Sequence, residues 1–253
     1  MSFMDPFTSA VLAGVIAVAL SLSAQATEIN VAVAANFTDA AKEIGTAWEK
    51  KKIGHKAIFS FGATGQLYTQ ITQGAPFDVF LSADQATPKK AGAEGHAVAS
   101  TQATYAVGKL VLFSKNKDAV KGEQTLKDAT FAKIAIANPA AAPYGAAAIE
   151  AMKALGVYDA LAPRAVQGQN ITQTFQFVDT GNAEVGFIAL AQVVGTTEGS
   201  RWIVPGHLHT PIKQDAILLK KGEGSSAAKD FIAFLNGPEA IRVKTKYGYG
   251  SDE

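Results

Sequence analysis

Val31-Ala32-Val33-Ala34-Ala35-Asn36-Phe37-Thr38 and Ile58-Phe59-Ser60-Phe61-Gly62-Ala63-Thr64-Gly65 each end an apolar run and open into small or polar residues. Both read as a strand running directly into a helix. At such a junction the first backbone N–H groups of the helix have no partner inside it and point outward with the positive end of the helix dipole. That geometry holds anions. A third stretch, Ile134-Ala135-Ile136-Ala137-Asn138-Pro139 with its continuation to Tyr144-Gly145, has a similar character. In a chain without a recognisable catalytic motif, these junctions make an anion receptor the leading expectation.

Outward from the first junction, strand and helix alternate. Ile29 to Ala34 predicts a strand. Thr38 to Lys51 predicts a helix, with Phe37, Ala40, Ala41, Ile44, Ala47 and Trp48 at helical spacing. His55 to Phe61 is a second strand, Gln66 to Gln73 a helix closed by Gly74, and Phe77 to Leu81 a short buried strand. Such alternation means a parallel sheet covered on both faces. A second set follows: strands at Lys109–Ser114, Ile134–Ala137, Glu184–Ala189 and Asp215–Leu219, a helix from Ala146 to Leu155 closed by Gly156, and a helix from Ser225 to Leu235 before Gly237-Pro238. No flexible linker separates the sets, so the chain is expected to cross between two lobes as hinge strands, near Thr104–Leu110 and Asp215–Lys220. The expected division is lobe I over 27–104 plus 219–253 and lobe II over 105–218.

The chain has 253 residues, 48% hydrophobic and 18% charged, with a formal charge of +1. That balance gives no support to a nucleic-acid or anionic-membrane partner. An anion would be held by local dipoles instead of a basic field. Cysteine is absent, which excludes disulfides and thiolate metal sites. Ala10 to Leu22 is apolar and leads to Ala24-Gln25-Ala26, a small-residue cleavage pattern. Residues 1–26 therefore read as a signal peptide, with the mature start near Thr27 and a periplasmic destination. An uncleaved anchor is the competing reading, since no Lys or Arg precedes the apolar run. Asp5 is the one charge removed, so acids fall from 22 to 21 against 23 Lys and Arg, a net +2.

Taken singly, the polar positions at the junctions are ambiguous. Asn36, with Asp39 three residues on, has the spacing of a helix cap. Thr64, inside Gly62-Ala63-Thr64-Gly65, fits either a tight turn or a hydroxyl offered to a ligand. Asn138-Pro139-Ala140-Ala141-Ala142-Pro143-Tyr144-Gly145 is a rigid approach to a helix, and its Tyr faces either a cleft or solvent. Gln169-Asn170-Ile171-Thr172 precedes another helix, either as an ordinary start or as an exposed N–H end. His207 and His209 read as a surface loop. Asp78, Ser82 and Asp84 are the components of a possible hydrolytic site, though nothing in the pattern activates them.

In sequence order, Val33-Ala34-Ala35-Asn36-Phe37, Ser60-Phe61-Gly62-Ala63-Thr64-Gly65, Gly74 to Asp84, Ala142-Pro143-Tyr144-Gly145, Gly186 to Gln192, Leu235-Asn236-Gly237-Pro238 and Tyr247-Gly248-Tyr249 resemble the periplasmic molybdate-binding proteins of ABC importers. The resemblance covers nearly the whole mature chain. It implies an α/β, two-lobed periplasmic binding protein of type II, each lobe a mixed, mostly parallel sheet flanked by helices, the lobes joined by hinge strands. It implies capture of molybdate, with tungstate alongside, and delivery to a membrane permease, by a monomer without cofactor, catalysis or nucleic acid. The family's anion contacts fall on Asn36, Thr64, Tyr144 and Ile171, the last two through backbone N–H groups.

Two departures stand out: Asn36 where many relatives have Ser, and Ala189 where many have Tyr. The resemblance suggests that the Tyr144 hydroxyl replaces the one lost at Ala189. All implied contacts are capable of donating and none is a carboxylate. They therefore suit a fully deprotonated oxyanion better than protonated phosphate. The rival expectations are the same fold serving sulfate, a hydrolase using Asp78, Asp84 or Ser82, and the effector domain of a transcription regulator.

Overall fold

The computed structural model describes residues 27–52 and 54–250. The export segment read at 1–26 lies outside them. The first half of the chain forms β1 (Thr27–Ala34), α1 (Thr38–Lys51), β2 (His55–Gly62), α2 (Thr64–Thr72), β3 (Val79–Leu81), α3 (Ala86–Ala93) and β4 (Ala103–Gly108). There follow β5 (Leu110–Ser114), α4 (Gln124–Asp128), β6 (Ile134–Ala137), α5 (Pro143–Ala154), α6 (Tyr158–Leu161), β7 (Ala165–Gly168), α7 (Ile171–Asp179), β8 (Val185–Ala189) and β9 (Ser200–Ile203). The chain closes with β10 (Ile212–Leu218), α8 (Ser226–Phe234) and α9 (Pro238–Lys246). Among the described residues no helix is long and apolar enough to cross a membrane.

The strands build two five-stranded sheets, ordered β2-β1-β3-β10-β4 and β7-β6-β8-β5-β9. In the first, β1 runs parallel to β2 and β3, and β10 runs antiparallel to β3 and β4. In the second, β6 is parallel to β7 and β8, and β5 is antiparallel to β8 and β9. Each sheet is therefore mixed, with four strands pointing one way and one reversed. Both faces are covered, and the strand period of two assigns alternate residues to opposite faces. Val31 and Val33 join Phe37, Ile44, Trp48 and Phe231 on one face of the first sheet. Ala32, Phe80 and Ile217 join Leu67 and Ile71 on the other. In the second sheet Leu110 and Leu112 pack towards Ala148 and Met152, while Val111 and Phe113 pack towards Val178.

The helix ends follow the sequence signals. Gly74 and Gly156 adopt left-handed conformations, with φ of 84° and 70°, directly after α2 and α5. Glycine takes that region without a Cβ penalty.

The hinge expectation needs one correction. The first crossing lies where it was read, between β4 and β5. The second was expected at Asp215–Lys220, within a lobe II of 105–218, yet all of β10 belongs to the first sheet. It bonds to β3 on one side and β4 on the other, with a bulge between Gln214 and Asp215. The return crossing therefore falls between β9 and β10, and the second lobe comprises residues 109–211. β4, read only as hinge, is the edge strand of the first sheet and carries a bridge from Val107 to Gly250 near the chain end.

Candidate functional site

The parallel strands of both sheets end at one cleft, the usual place for ligands in open α/β sheets. Four chain reversals meet there. β1 passes into a 3-10 turn at Ala35–Phe37, β2 into α2, β6 through the Pro-bracketed loop into α5, and β7 into α7. Their first residues enclose a cavity lined by Ala34, Ala35, Asn36, Gly62, Ala63, Thr64, Ala83, Ala142, Pro143, Tyr144 and Ile171. The space open to the centre of a water-sized sphere is about 10 Å³. That is roughly one such sphere, so the compartment suits a very small solute. No charged side chain lines it. The structure thus brings Asn36, Thr64, Tyr144 and Ile171 together, all buried.

Each N–H in this ring is left open for a local reason. Pro143 is the first residue of α5, and Gly145 and Ala146 donate to Ala142 O, so the Tyr144 N–H has no partner inside the helix. The chain turns tightly here: a Cβ on Gly145 would lie 2.1 Å from Ala137 O. In α7 the cap Asn170 accepts from Gln173 N at 3.0 Å, which leaves the Ile171 N–H uncapped. Thr64 opens α2, and its Oγ1 accepts from Ala83 N at 3.0 Å. An oxygen already accepting there still has its own proton to donate.

Asn36 differs from its sequence reading. It does not cap α1: the residue before that helix is Phe37, without a side-chain cap. The intervening 3-10 turn carries the Asn36 carboxamide into the protein. Its Nδ2 donates to Gln214 Oε1 at 2.8 Å and to the Tyr249 hydroxyl at 3.2 Å. Both amide hydrogens are taken, so Asn36 has its backbone N–H to offer an anion. The first N–H groups of such a turn, on Ala35 and Asn36, have no partner within it.

A buried polar network backs this wall. The Tyr249 hydroxyl donates to Asn36 O at 2.6 Å. The Tyr105 hydroxyl lies 3.1 Å from Ser82 O and 3.2 Å from Gln214 Oε1, and Gln214 Nε2 faces the Tyr144 hydroxyl at 3.5 Å. Burial pushes the Tyr144 phenol well above its ordinary range, with the neighbouring side chains of Gln214 and Asn36 pulling partly back. Burial likewise raises Tyr105 and Tyr249. All three stay protonated at neutral pH. Gln214, Tyr105 and Tyr249 were not singled out as site residues. No sequence signal marks Gln214, which stands between Lys213 and Asp215 in a polar stretch.

The lobes touch directly. Gly65 N donates to Ala141 O across the cleft at 2.9 Å, and a Cβ on Gly65 would lie 3.2 Å from Ala141 Cα. Ala34, Ala35, Ala63 and Ala83 of the first lobe pack into the apolar cluster of the second. Outside this closure a larger cleft of about 390 Å³ shares Ala83, Ala142 and Pro143 with the cavity. Its lining includes Asp84, Glu150 and Lys213, so unlike the smaller compartment it carries charged side chains.

Of the components of the hydrolytic alternative, Ser82 Oγ donates to Asp84 Oδ1 at 3.3 Å, but Asp78 stands apart at the other end of β3. Asp78 precedes β3, where it accepts from Asn30 N at 2.7 Å and pairs with Lys221 at 2.7 Å. Asp84 follows the same strand and accepts from Thr87 N at 2.7 Å and Thr87 Oγ1 at 3.0 Å. His209 lies on an exposed loop beside Thr210 O. Among the described residues no three His, Asp or Glu gather as a metal group.

Comparison with known proteins agrees with this architecture. The family model of bacterial extracellular solute-binding proteins matches residues 29–250. The molybdate-binding protein ModA of Rhodobacter capsulatus is 52% identical over 250 residues, covering 97% of this chain and 99% of that one. Its Azotobacter vinelandii counterpart is 50% identical over 235 residues, covering 91% and 93%. Among solved structures, the Azotobacter vinelandii periplasmic molybdate-binding protein superposes with a TM-score of 0.85 at 33% identity, covering 89% of this chain and all of that one.

Proposed function

Because this chain belongs to the bacterial extracellular solute-binding proteins, we propose that it captures molybdate between its two lobes and delivers it to the permease of an ABC importer. The observation carrying this reading is the convergence of four chain reversals, two from each lobe, on one tight cavity free of charged side chains. Molybdate at neutral pH carries no proton and accepts hydrogen bonds only. A wall of N–H and O–H donors replaces its water shell, and low dielectric strengthens each bond. Hydrogen phosphate would bring a proton with no acceptor to meet it, a cost of about 1–3 kcal/mol for a buried unpaired polar group.

Asn36, Tyr144 and Ile171 would contribute backbone N–H groups, Thr64 its hydroxyl, and Tyr144 a phenol in addition. Tungstate has the same charge and shape and is expected to bind alike. The protein acts as a monomer in the periplasm after removal of residues 1–26, and it turns over no substrate. Closure of the lobes supplies the signal that the permease reads.

Isothermal titration of the mature protein with molybdate, tungstate, sulfate and phosphate tests the reading. Tight one-to-one binding of the first two, with sulfate weaker and phosphate weakest, is the expected result. Preference for sulfate would overturn it.

A further inference from the structure

The polar network behind the cavity has a direction. A carbonyl oxygen only accepts, so the 2.6 Å contact between the Tyr249 hydroxyl and Asn36 O fixes the Tyr249 proton on that side. The Tyr249 oxygen must then accept from the Asn36 side chain, which places Nδ2 at 3.2 Å and excludes the flipped amide. With Nδ2 so placed, its second hydrogen meets Gln214 at 2.8 Å, and that atom must be Oε1. Tyr105 approaches the same oxygen. The remaining end of Gln214, its NH2 group, therefore faces the Tyr144 oxygen at 3.5 Å, the outer limit of a hydrogen bond. A Tyr144 oxygen that accepts on this side leaves its own proton to turn elsewhere, and Tyr144 is among the residues lining the cavity.

Two further features fit a positioning role for Gln214. It is fully buried and sits at the bulge of β10, a device that re-aims side chains beside binding sites. Gly108, the last residue of β4, leaves the space that this contact needs. A Cβ there would lie 2.1 Å from the Tyr144 hydroxyl and 2.7 Å from Gln214 Nε2.

We propose that Gln214 is the specificity-determining positioning residue of the anion site: a one-way hydrogen-bond relay from Asn36 O through Tyr249, the Asn36 amide and Gln214 keeps the Tyr144 hydroxyl a donor. The inference rests on the oxyanion reading above. It adds that selection against protonated anions is set in β10 of the first sheet, behind the groups that touch the ligand. Without the relay the Tyr144 hydroxyl rotates freely and presents a lone pair to the cavity as readily as a proton.

The test compares Gln214→Met and Tyr249→Phe with the parent, by titration with molybdate and with phosphate. Loss of one positioned donor should weaken molybdate about tenfold or more. The ratio of molybdate to phosphate affinity should fall by a similar factor, which a merely structural defect would not single out. In a Tyr144→Phe background the same two substitutions should each cost less than about threefold. Tyr249→Phe breaks the relay at its anchor and leaves Gln214 in place, so it serves if Gln214→Met folds poorly. Unchanged molybdate binding, an unchanged ratio, or equal losses with and without the Tyr144 hydroxyl would overturn the inference. A parent that binds neither molybdate nor sulfate would overturn the functional reading and this inference with it; a parent that binds while the variants match it overturns the inference alone.

Discussion

The two lobes share one plan and solve the same problem differently. Each has a parallel trio of strands, one reversed strand and two helix starts aimed at the cleft. In the second lobe the donors are set by neighbours in sequence: Pro143 opens α5, and Asn170 caps α7 three residues from its acceptor contact. In the first lobe they depend on distant partners. Asn36 is held by Gln214 and Tyr249, 178 and 213 positions away, and Thr64 by Ala83. One half of the site is made by local capping and the other by long-range hydrogen bonds. Damage to the second lobe should therefore be confined to a helix start, whereas damage to the first should spread through β10.

The sharpest way to break that contrast is Gly145→Val. Its Cβ would meet Ala137 O at 2.1 Å and Ala137 C at 2.8 Å, both backbone atoms that cannot move aside. A destabilisation of about 3 kcal/mol or more is expected, beyond ordinary overpacking, and chemical denaturation measures it. A loss below about 1 kcal/mol would mean that the local turn is not the constraint it looks.

Asn170→Ala comes next and sharpens the idea of local capping. Removing the cap on Gln173 N should cost about 1 kcal/mol of stability. Hydrogen exchange should show the loss concentrated in the first turn of α7, with the amides of α1 and α2 unchanged. Spread of the effect into the first lobe would erase the distinction between the lobes.

The smallest effect on stability is expected for Gly65→Ala. The nearest atoms to the new Cβ all belong to Ala141 of the other lobe, so the ligand-free melting temperature should stay within about 2 °C. Molybdate affinity should fall about three- to tenfold, corresponding to roughly 1 kcal/mol of closure energy. Calorimetry and thermal melting on the same sample decide it. Lowered stability with intact affinity would place Gly65 in the packing of its own lobe.

Much of the fold was legible because its signals are local. The bounds of α1 and β6 follow directly from periodicity and flanking residues, and Gly74 and Gly156 mark their helix ends. The weaker readings share a cause. The strand expected at Asp215–Leu219 runs from Ile212 to Leu218 because its position depends on pairing with β3 and β4, and the bulge at Gln214 breaks the alternation that would have shown it. The Asn36 reading failed in the same way. The spacing to Asp39 allowed a cap, but a 3-10 turn, whose bonds close three residues apart, delivered the amide to partners elsewhere.

By itself the sequence determined the alternation of strands and helices, the exposed N–H ends and the uncharged chemistry of the positions offered to an anion. These rest on periodicity, capping and proline, which act within a few residues. Only the tertiary structure decided that four chain reversals share one cavity, that β10 returns to the first sheet, and that Gln214 links β10 to Tyr144. Those facts depend on hydrogen bonds between segments far apart in the chain. A donor meets its acceptor only after both sheets have formed and the lobes have come together.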